Sequence, residues 1–323
     1  MFKTVDTIGL ETCLVTGVAG FIGSHLAEAL IARGYRVIGV DAFTDFYPRA
    51  IKEQNLQRLQ SNAAFRLLEL DLSTANLSSL LLDIDYVFHL AAQAGVRSSW
   101  GKQFADYVNY NVLATQRLLE AALHSRVQRV IYASSSSVYG NARIQPVQEG
   151  SPTQPISPYG VTKLAGEHLC TLYAREHGLS TVSLRYFTVY GPRQRPDMGF
   201  HKFIHSLLCE QPILVYGDGQ QSRDFTYVDD IVAANLAAMH LGTNGAVYNI
   251  GGGTRVTVRE VLRMLESITE KQAHVVYQTR QYGDATHTAA DTSAAHVDLG
   301  FQPAVTLEQG LRMQVEWMHQ LYG

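Results

Sequence analysis

The chain has 323 residues, 46% of them hydrophobic and 17% charged, with a formal net charge of −3. That length builds one large domain or two ordinary ones, and so small a charge implies neither a nucleic-acid nor a membrane-surface partner. Three widely spaced cysteines, Cys13, Cys170 and Cys209, suit neither a disulfide framework nor a metal site and point to a reducing, cytoplasmic setting.

Nothing ahead of the first strand reads as a signal peptide, and no run of about 18 apolar residues spans a membrane. The first strand is Thr12–Thr16, a β-prone run that leads straight into Gly17, Gly20, Phe21, Ile22 and Gly23 and then into a helical pattern from Ser24. Strand, glycine loop and helix make a variant of the dinucleotide fingerprint. Gly17 and Gly20 let the chain turn tightly against a pyrophosphate, Gly23 lets the helix pack on the sheet, and the helix N-terminus offers free N–H groups to phosphate. A glycine-rich turn alone would need no nucleotide. A second strand, 36–40, however, ends at Asp41, placed to accept from a ribose hydroxyl, with no adjacent arginine for a 2′-phosphate. NAD is therefore favoured over NADP.

A third strand, 65–70, ends in Asp71 and Leu72, a candidate adenine contact, and a fourth, 86–90, ends at Leu90, Ala91, Ala92 and Gln93. His89, at that strand end, reads as packing, and the twelve histidines show no metal-ligand spacing. A long helix over 104–124 carries Asn111. A fifth strand, 128–133, runs into Ser134, Ser135, Ser136 and Ser137. Residues 141–158, with four prolines, form a loop. Ser157 and Pro158 then cap and open a helix over 159–177, and 180–187 is a sixth strand. Such alternation makes a doubly wound, parallel α/β sheet of Rossmann type, with ligands at the carboxyl ends of the strands. Beyond Gly191 the pattern turns irregular: 197–208, 217–230 and 283–291 read as loops and short elements of a smaller lobe.

The helix after Ser157 presents Tyr159 and Lys163 four residues apart, on one face. A tyrosine ionises near pH 10, so a base at neutral pH needs a shift of roughly three units, about 4 kcal/mol. A lysine and a positively charged nicotinamide together can supply it. Tyr-x-x-x-Lys also occurs as a surface pair; its weight here comes from the glycine loop in the same half of the chain.

With these motifs the chain resembles the extended short-chain dehydrogenases/reductases, specifically their nucleotide-sugar epimerases and dehydratases, over essentially its whole length. The resemblance implies Tyr159 as base, assisted by Lys163 and Ser135, with Asn111 as a further site residue or a structural one. It also implies Arg223, in Gly217-Asp218-Gly219-Gln220-Gln221-Ser222-Arg223, as a pyrophosphate ligand. Residues 1–190 plus about 226–250 would form the NAD-binding domain; about 191–225 plus 251–323 would form a mixed α/β lobe for the UDP-sugar. The helices 104–124 and 159–177 resemble a pair that makes a homodimer interface in that family, although packing within one chain would also explain their apolar stripes.

Two segments, Ala91–Arg97 (Ala-Ala-Gln-Ala-Gly-Val-Arg) and 188–198 (Thr-Val-Tyr-Gly-Pro-Arg-Gln-Arg-Pro-Asp-Met), resemble UDP-glucuronic acid 4-epimerases. The 4,6-dehydratases place Asp-Glu after the catalytic Ser/Thr, and UDP-glucuronic acid decarboxylases place Glu at the second of these positions; this chain has Ser136 and Ser137. What remains is oxidation and re-reduction at C4. Ser136, Ser137 and Thr188 are expected to hold a uronate carboxylate, unless their hydroxyls merely cap strand ends. Arg97 and Arg195 are expected to meet the carboxylate or the diphosphate. The alternatives are a UDP-glucose or UDP-N-acetylglucosamine epimerase, a UDP-glucuronic acid decarboxylase, a net oxidoreductase, and a nucleotide-sugar or NAD sensor without turnover.

Overall fold

A computed structural model describes residues 10–322; the reading of the extreme N-terminus as leaderless falls on residues 1–9, outside the described residues. Strands β1 (Thr12–Thr16), β2 (Arg36–Asp41), β3 (Phe65–Glu69), β4 (Tyr86–His89), β5 (Arg129–Ser135) and β6 (Thr181–Tyr186) alternate with helices through the first part of the chain. The helices there are α1 (Phe21–Ala32), α2 (Arg49–Gln60), α3 (Leu77–Leu80), α4 (Phe104–Tyr107), α5 (Ala114–Leu123) and α6 (Pro158–His177). Then follow the short strands β7 (Val189–Tyr190), β8 (Ile213–Tyr216), β9 (Ser222–Asp224) and β10 (Thr226–Tyr227), with β11 (Val247–Ile250), β12 (Arg255–Thr257) and β13 (Val275–Gln278). Helices α7 (Gly199–Leu208), α8 (Val228–Leu241), α9 (Val258–Thr269), α10 (Ser293–Leu299) and α11 (Leu307–Tyr322) complete the order.

Seven strands form one sheet in the order β11-β6-β5-β4-β1-β2-β3, every pair parallel. The chain moves outward from β1 in both directions, so the strand order reverses between β1 and β4. That crevice is where doubly wound sheets bind ligands. Period-2 alternation sends Cys13, Val15, Phe88 and Ile131 into a core shared with Leu26 and Leu30 of α1 and Ile231 of α8. Leu14, Val87, Val130 and Tyr132 enter another, with Leu118 of α5 and Tyr173 of α6. With both faces covered, the strands read as continuous apolar runs rather than alternating ones.

Two expectations need correction. The helix over 104–124 is interrupted by a π-helical stretch, Val108–Leu113, between α4 and α5. Its widened turn carries Asn111 inward, where the side chain is 1% exposed; such bulges recur at functional sites. Residues 199–208 are not a loop with short elements but the regular helix α7, which buries Phe200, Ile204 and Leu207. The i, i+4, i+7 spacing was present in the sequence, obscured by Gly199 and two interleaved histidines. Past β6, β11 adds to the edge of the large sheet, while β10–β7, β12–β9 and β13–β8 form three two-stranded pieces.

Candidate active site

Gly17 ends β1 in the left-handed region at φ +69, and a Cβ there would lie 2.9 Å from the Ala91 nitrogen at the exit of β4. Backbone thus meets backbone across the switch point, leaving a cradle that any side chain would fill. Gly23 lets α1 close down on the loop that leaves β1: a Cβ there would fall 2.3 Å from the Gly17 carbonyl oxygen. Gly20 has an ordinary φ of −78 and starts α1, whose first-turn amides open onto the cleft. Gly17, Gly20, Phe21, Ile22, Gly23, Asp41, Asp71, Leu72, Leu90, Ala91, Ala92, Gln93, Tyr159 and Lys163 all line this one cleft, as does Arg195.

At the far end, Asp41 accepts from the Ala19 and Phe43 amides at 3.1 and 2.9 Å. Burial pushes its carboxyl up, against those amides and the Lys52 charge. Asp71 accepts from the amide and hydroxyl of Ser73, each at 2.7 Å. Sequence reasoning missed Lys52, which lines the same cleft with Thr44, Phe46 and Tyr47. Only 4% of it is exposed, and its ammonium donates to the Thr44 carbonyl at 2.7 Å. A lysine on a polar helix gives no signal of burial; its partners come from the preceding loop.

At the other end, Ser157 caps α6 by accepting from the Gly160 amide at 3.1 Å, with Pro158 in the first turn. Tyr159 therefore points from the first turn of α6 into the cleft, edge-on to Tyr107 at 6.2 Å. Burial raises the Tyr159 phenol, and the Ser135 hydroxyl and the Arg195 guanidinium pull it back. The i, i+4 spacing pointed to Lys163 as the cation beside the phenol; Arg195, from a distant segment, adds a second positive charge that pulls the phenol down. Lys163 donates to the Ala133 carbonyl at 2.8 Å, and burial lowers its ammonium to about 8. Its long stem reaches across to β5, which spacing along one helix does not reveal. Ser135, at the end of β5, accepts from the Ser137 amide at 3.1 Å and so caps the 3-10 turn Ser136–Tyr139. Thr188 leaves the adjacent strand two residues beyond β6, whose Tyr186 is the register partner of Ser135. Ser135, Ser136, Ser137 and Thr188 thus emerge from neighbouring strand ends. Ser134 and Tyr186, which the sequence did not single out, line the cleft directly.

The two arginines part company. Arg195 lines the cleft, paired twice with Asp197 at 2.9 Å and 5.8 Å from the Phe46 ring centroid. Arg97 is not among the cleft-lining residues; it is partly exposed, bonds Asp284 at 2.7 Å and stacks 4.2 Å over Tyr216. Arg223 donates to the Ser222 and Thr286 carbonyls at 2.9 and 3.2 Å. Burial lowers its guanidinium, as do the charges of Arg280 and Arg97, while Asp284 raises it. Arg97, Arg223 and Arg280 thus cluster around Asp284.

Asn111 ties the two ends together. Its Oδ1 accepts from the Gln93 amide at 2.7 Å, and its Nδ2 donates to the Gln93 carbonyl at 3.0 Å and to Thr162, beside Lys163, at 2.9 Å. The Thr115 hydroxyl donates to the Asn111 carbonyl at 2.7 Å, so it accepts from His89 Nε2 at 3.0 Å. His89 Nδ1 then accepts from the Thr16 hydroxyl at 2.9 Å, and that oxygen in turn accepts from the Leu90 and Ala91 amides. This network fixes the neutral Nε2–H tautomer, and burial and Lys163 push the imidazole down to about 3. Among the described residues, no cluster of His, Cys, Asp and Glu could hold a metal ion, the three cysteines are free, and no helix is long and apolar enough to cross a membrane.

The NAD dependent epimerase/dehydratase family matches residues 13–251. An uncharacterised UDP-glucose epimerase of Bacillus subtilis (strain 168) is 45% identical over 96% of this chain and 98% of its own. A UDP-glucuronate 4-epimerase of Thermodesulfobacterium geofontis is 37% identical over 94% of this chain and 95% of its own. A crystal structure of UDP-glucuronic acid 4-epimerase from Bacillus cereus, in complex with UDP-glucuronic acid and NAD, superimposes with a TM-score of 0.94 at 46% identity, covering 96% of this chain and all of that one. With a glycine cradle at the switch point and a tyrosine–lysine helix facing it, the chain belongs to the NAD-dependent epimerase/dehydratase family.

Proposed function

We propose that this chain is a UDP-sugar 4-epimerase that uses NAD, and that its substrate is UDP-glucuronic acid, converted to UDP-galacturonic acid through a 4-keto intermediate. The observation that carries the uronate is Arg195: a half-buried guanidinium that lines the same cleft as Tyr159 and whose charge pulls the phenol down. Beside it, serines stand where an acid–base pair for elimination would be needed. The activity named for the Bacillus cereus and Thermodesulfobacterium relatives supports this reading. UDP-glucose is the second reading, on the name of the Bacillus subtilis relative.

The cradle between Gly17 and Ala91 suits a pyrophosphate, which needs backbone amides at close range. Gly17 to Gly23 and the start of α1 would hold the diphosphate of NAD, Asp41 its adenine ribose, Asp71 and Leu72 the adenine, and Leu90 to Gln93 the nicotinamide side. Held there, the nicotinamide would supply reversible hydride transfer at C4, with return of the hydride to the opposite face inverting that carbon. Tyr159 accepts the C4 hydroxyl proton and gives it back. Ser135 hydrogen-bonds the C4 oxygen, and Lys163 orients the nicotinamide ribose and adds positive charge. Ser136, Ser137, Thr188 and Arg195 hold the carboxylate, while Arg97 and Arg223 meet the diphosphate at the surface around Asp284. Arginine's planar fork suits either anion.

We divide the chain accordingly into a cofactor domain, 1–190 plus about 226–250, and a sugar-binding lobe, about 191–225 plus 251–323. Trp100, Phe104, Val108 and Leu113, with Val161 and Leu172 of α6, are exposed apolar residues that would be covered in a homodimer. The deciding experiment is proton NMR of UDP-glucuronic acid incubated with the purified protein and no added cofactor. UDP-galacturonic acid should appear without pentose. No reaction there, with UDP-glucose converted to UDP-galactose, would return Ser136, Ser137 and Thr188 to structural roles.

A further inference from the structure

Beneath the Ser134–Tyr139 segment lies a buried ion pair for which the reaction above has no use. Arg185 of β6 and Glu167 of α6 are 4% and 2% exposed. They bond through Nη2 to Oε1 at 2.6 Å and Nε to Oε2 at 2.9 Å. Burying two charges costs several kcal/mol per ion, and such a pair rarely adds stability over apolar packing. Its remaining bonds show what it does instead. Glu167 Oε2 accepts from the Ser134 hydroxyl at 2.7 Å, and Ser134 is the register partner of Arg185 on the neighbouring strand. Arg185 Nη1 donates to the Tyr139 hydroxyl at 2.5 Å and to the Glu149 carbonyl at 3.0 Å, and its guanidinium lies 4.7 Å over the Tyr139 ring. The Tyr139 hydroxyl itself donates to Asn249 Oδ1 at 2.7 Å. One ion pair therefore grips the serine turn at both ends, Ser134 at the front and Tyr139 at the back. Glu167 stands one helical turn past Lys163 and two past Tyr159, on the same face of α6.

We infer that Glu167 and Arg185 are positioning residues which, through Ser134 and Tyr139, fix the serine turn against Tyr159 and so suppress decarboxylation of the 4-keto intermediate. The inference rests on the UDP-glucuronic acid reading. A 4-keto uronate is a β-keto acid. When its C5–C6 bond aligns with the C4 carbonyl π orbitals, that bonding pair moves toward the carbonyl as an enolate, CO2 leaves, and C5 takes a proton to give a 4-keto pentose. Ser136 and Ser137 can hold the carboxylate out of that alignment only as well as their own turn is held. Ser135, in the same turn, touches the reacting oxygen, so one clamp serves both rate and fidelity.

The test is the ratio of CO2 released to UDP-galacturonic acid formed, followed by NMR and 14C-labelled carboxylate, for wild type, Ser134→Ala and Tyr139→Phe. The ratio is taken per turnover, so a change in the amount of folded protein does not move it. Each variant should raise it at least about tenfold, the scale of one lost hydrogen bond to a charged group, while KM for UDP-glucuronic acid moves less than kcat. Ser134→Thr, which keeps the hydroxyl, should restore the wild-type ratio. A wild type that epimerises UDP-glucuronic acid, with both variants at its ratio, overturns the clamp and leaves the substrate reading standing. A wild type inert toward UDP-glucuronic acid sinks both. If one variant does not fold, the other, at the opposite end of the turn, decides.

Discussion

The two ends of the cleft are built from different materials. The end proposed for the cofactor is built largely of backbone: Gly17 against Ala91, and the amides that open α1, with the Asp41 and Asp71 carboxylates beyond them. Its parts lie in contiguous stretches, each at the carboxyl end of a strand. The end proposed for the sugar draws on side chains from distant segments: Tyr159 from α6 and Arg195 from the loop before α7 line it, and Ser135 of β5 and Thr188 past β6 emerge from the strand ends beside it. A backbone site needs one sterically permitted conformation and leaves its glycines in the sequence. A side-chain site needs several elements docked in register, so its precision depends on buried contacts such as the Glu167–Arg185 pair.

The sharpest break between the ends should come from Tyr159→Phe. Removing a positioned acid–base group costs roughly 10²–10⁴-fold in rate, so kcat should fall by that factor. The cofactor end should not notice, and NAD released by acid denaturation should match wild type. A variant that also loses its NAD would show that the two ends are not separable.

Gly17→Ala should do the reverse. Left-handed backbone costs an L side chain about 1–2 kcal/mol, and the new Cβ meets the Ala91 backbone at 2.9 Å. With overpacking adding about 1–3 kcal/mol, NAD affinity should drop roughly a hundredfold. The purified variant should carry little cofactor and regain part of its activity when NAD is added in excess. Wild-type NAD content would refute the cradle.

That asymmetry also explains what the sequence made legible. The central strands β1, β4, β5 and β6 were visible as apolar runs because both faces are covered, and the glycine loop announced the switch point. The cap of α6 was legible too, since Ser157 and Pro158 act within four residues of Tyr159. What escaped depends on tertiary partners. The π turn at 108–113 exists because Asn111 reaches Gln93 and Thr162. Lys52 is buried because a loop closes over it. Arg195 and Arg97 looked alike in sequence and differ only because one meets Asp197 in the cleft and the other Asp284 outside it.

The third prediction separates those arginines. Burial raises the Tyr159 phenol and Arg195 opposes the rise. With Tyr159 as the proposed base the reactive form is the phenolate, so activity should climb with pH along the limb set by this group. Arg195→Met removes the opposing charge, and the ascending limb of kcat/KM should move to higher pH; Arg195→Lys should bring it partly back. Arg223→Met, acting at the Asp284 cluster, should weaken substrate binding and leave the limb in place. Equal displacement of the limb by both variants would mean that the arginines act through net charge, not position.

The smallest effect concerns what joins the two ends. His89 links Thr16, next to Gly17, to Thr115 and through Asn111 to Thr162, next to Lys163. Both its nitrogens are committed, so a second ring proton would face the Thr16 hydroxyl proton, and the imidazole is held down at about 3. In the unfolded chain a histidine titrates near 6.5. Between those values the unfolded state binds a proton that the folded state refuses. Stability is therefore complete above the unfolded value and is lost as pH falls toward the folded one. His25, lowered to about 4, contributes in the same window. His89→Gln keeps an amide that can bond the same hydroxyls and removes one titrating group. Urea unfolding between about pH 6.5 and 3 should then show a shallower loss of stability with acid, with the remaining slope due to His25 and the carboxylates. An unchanged slope would mean that His89 takes its proton while folded, and that the bridge between the two ends reorients without unfolding the protein.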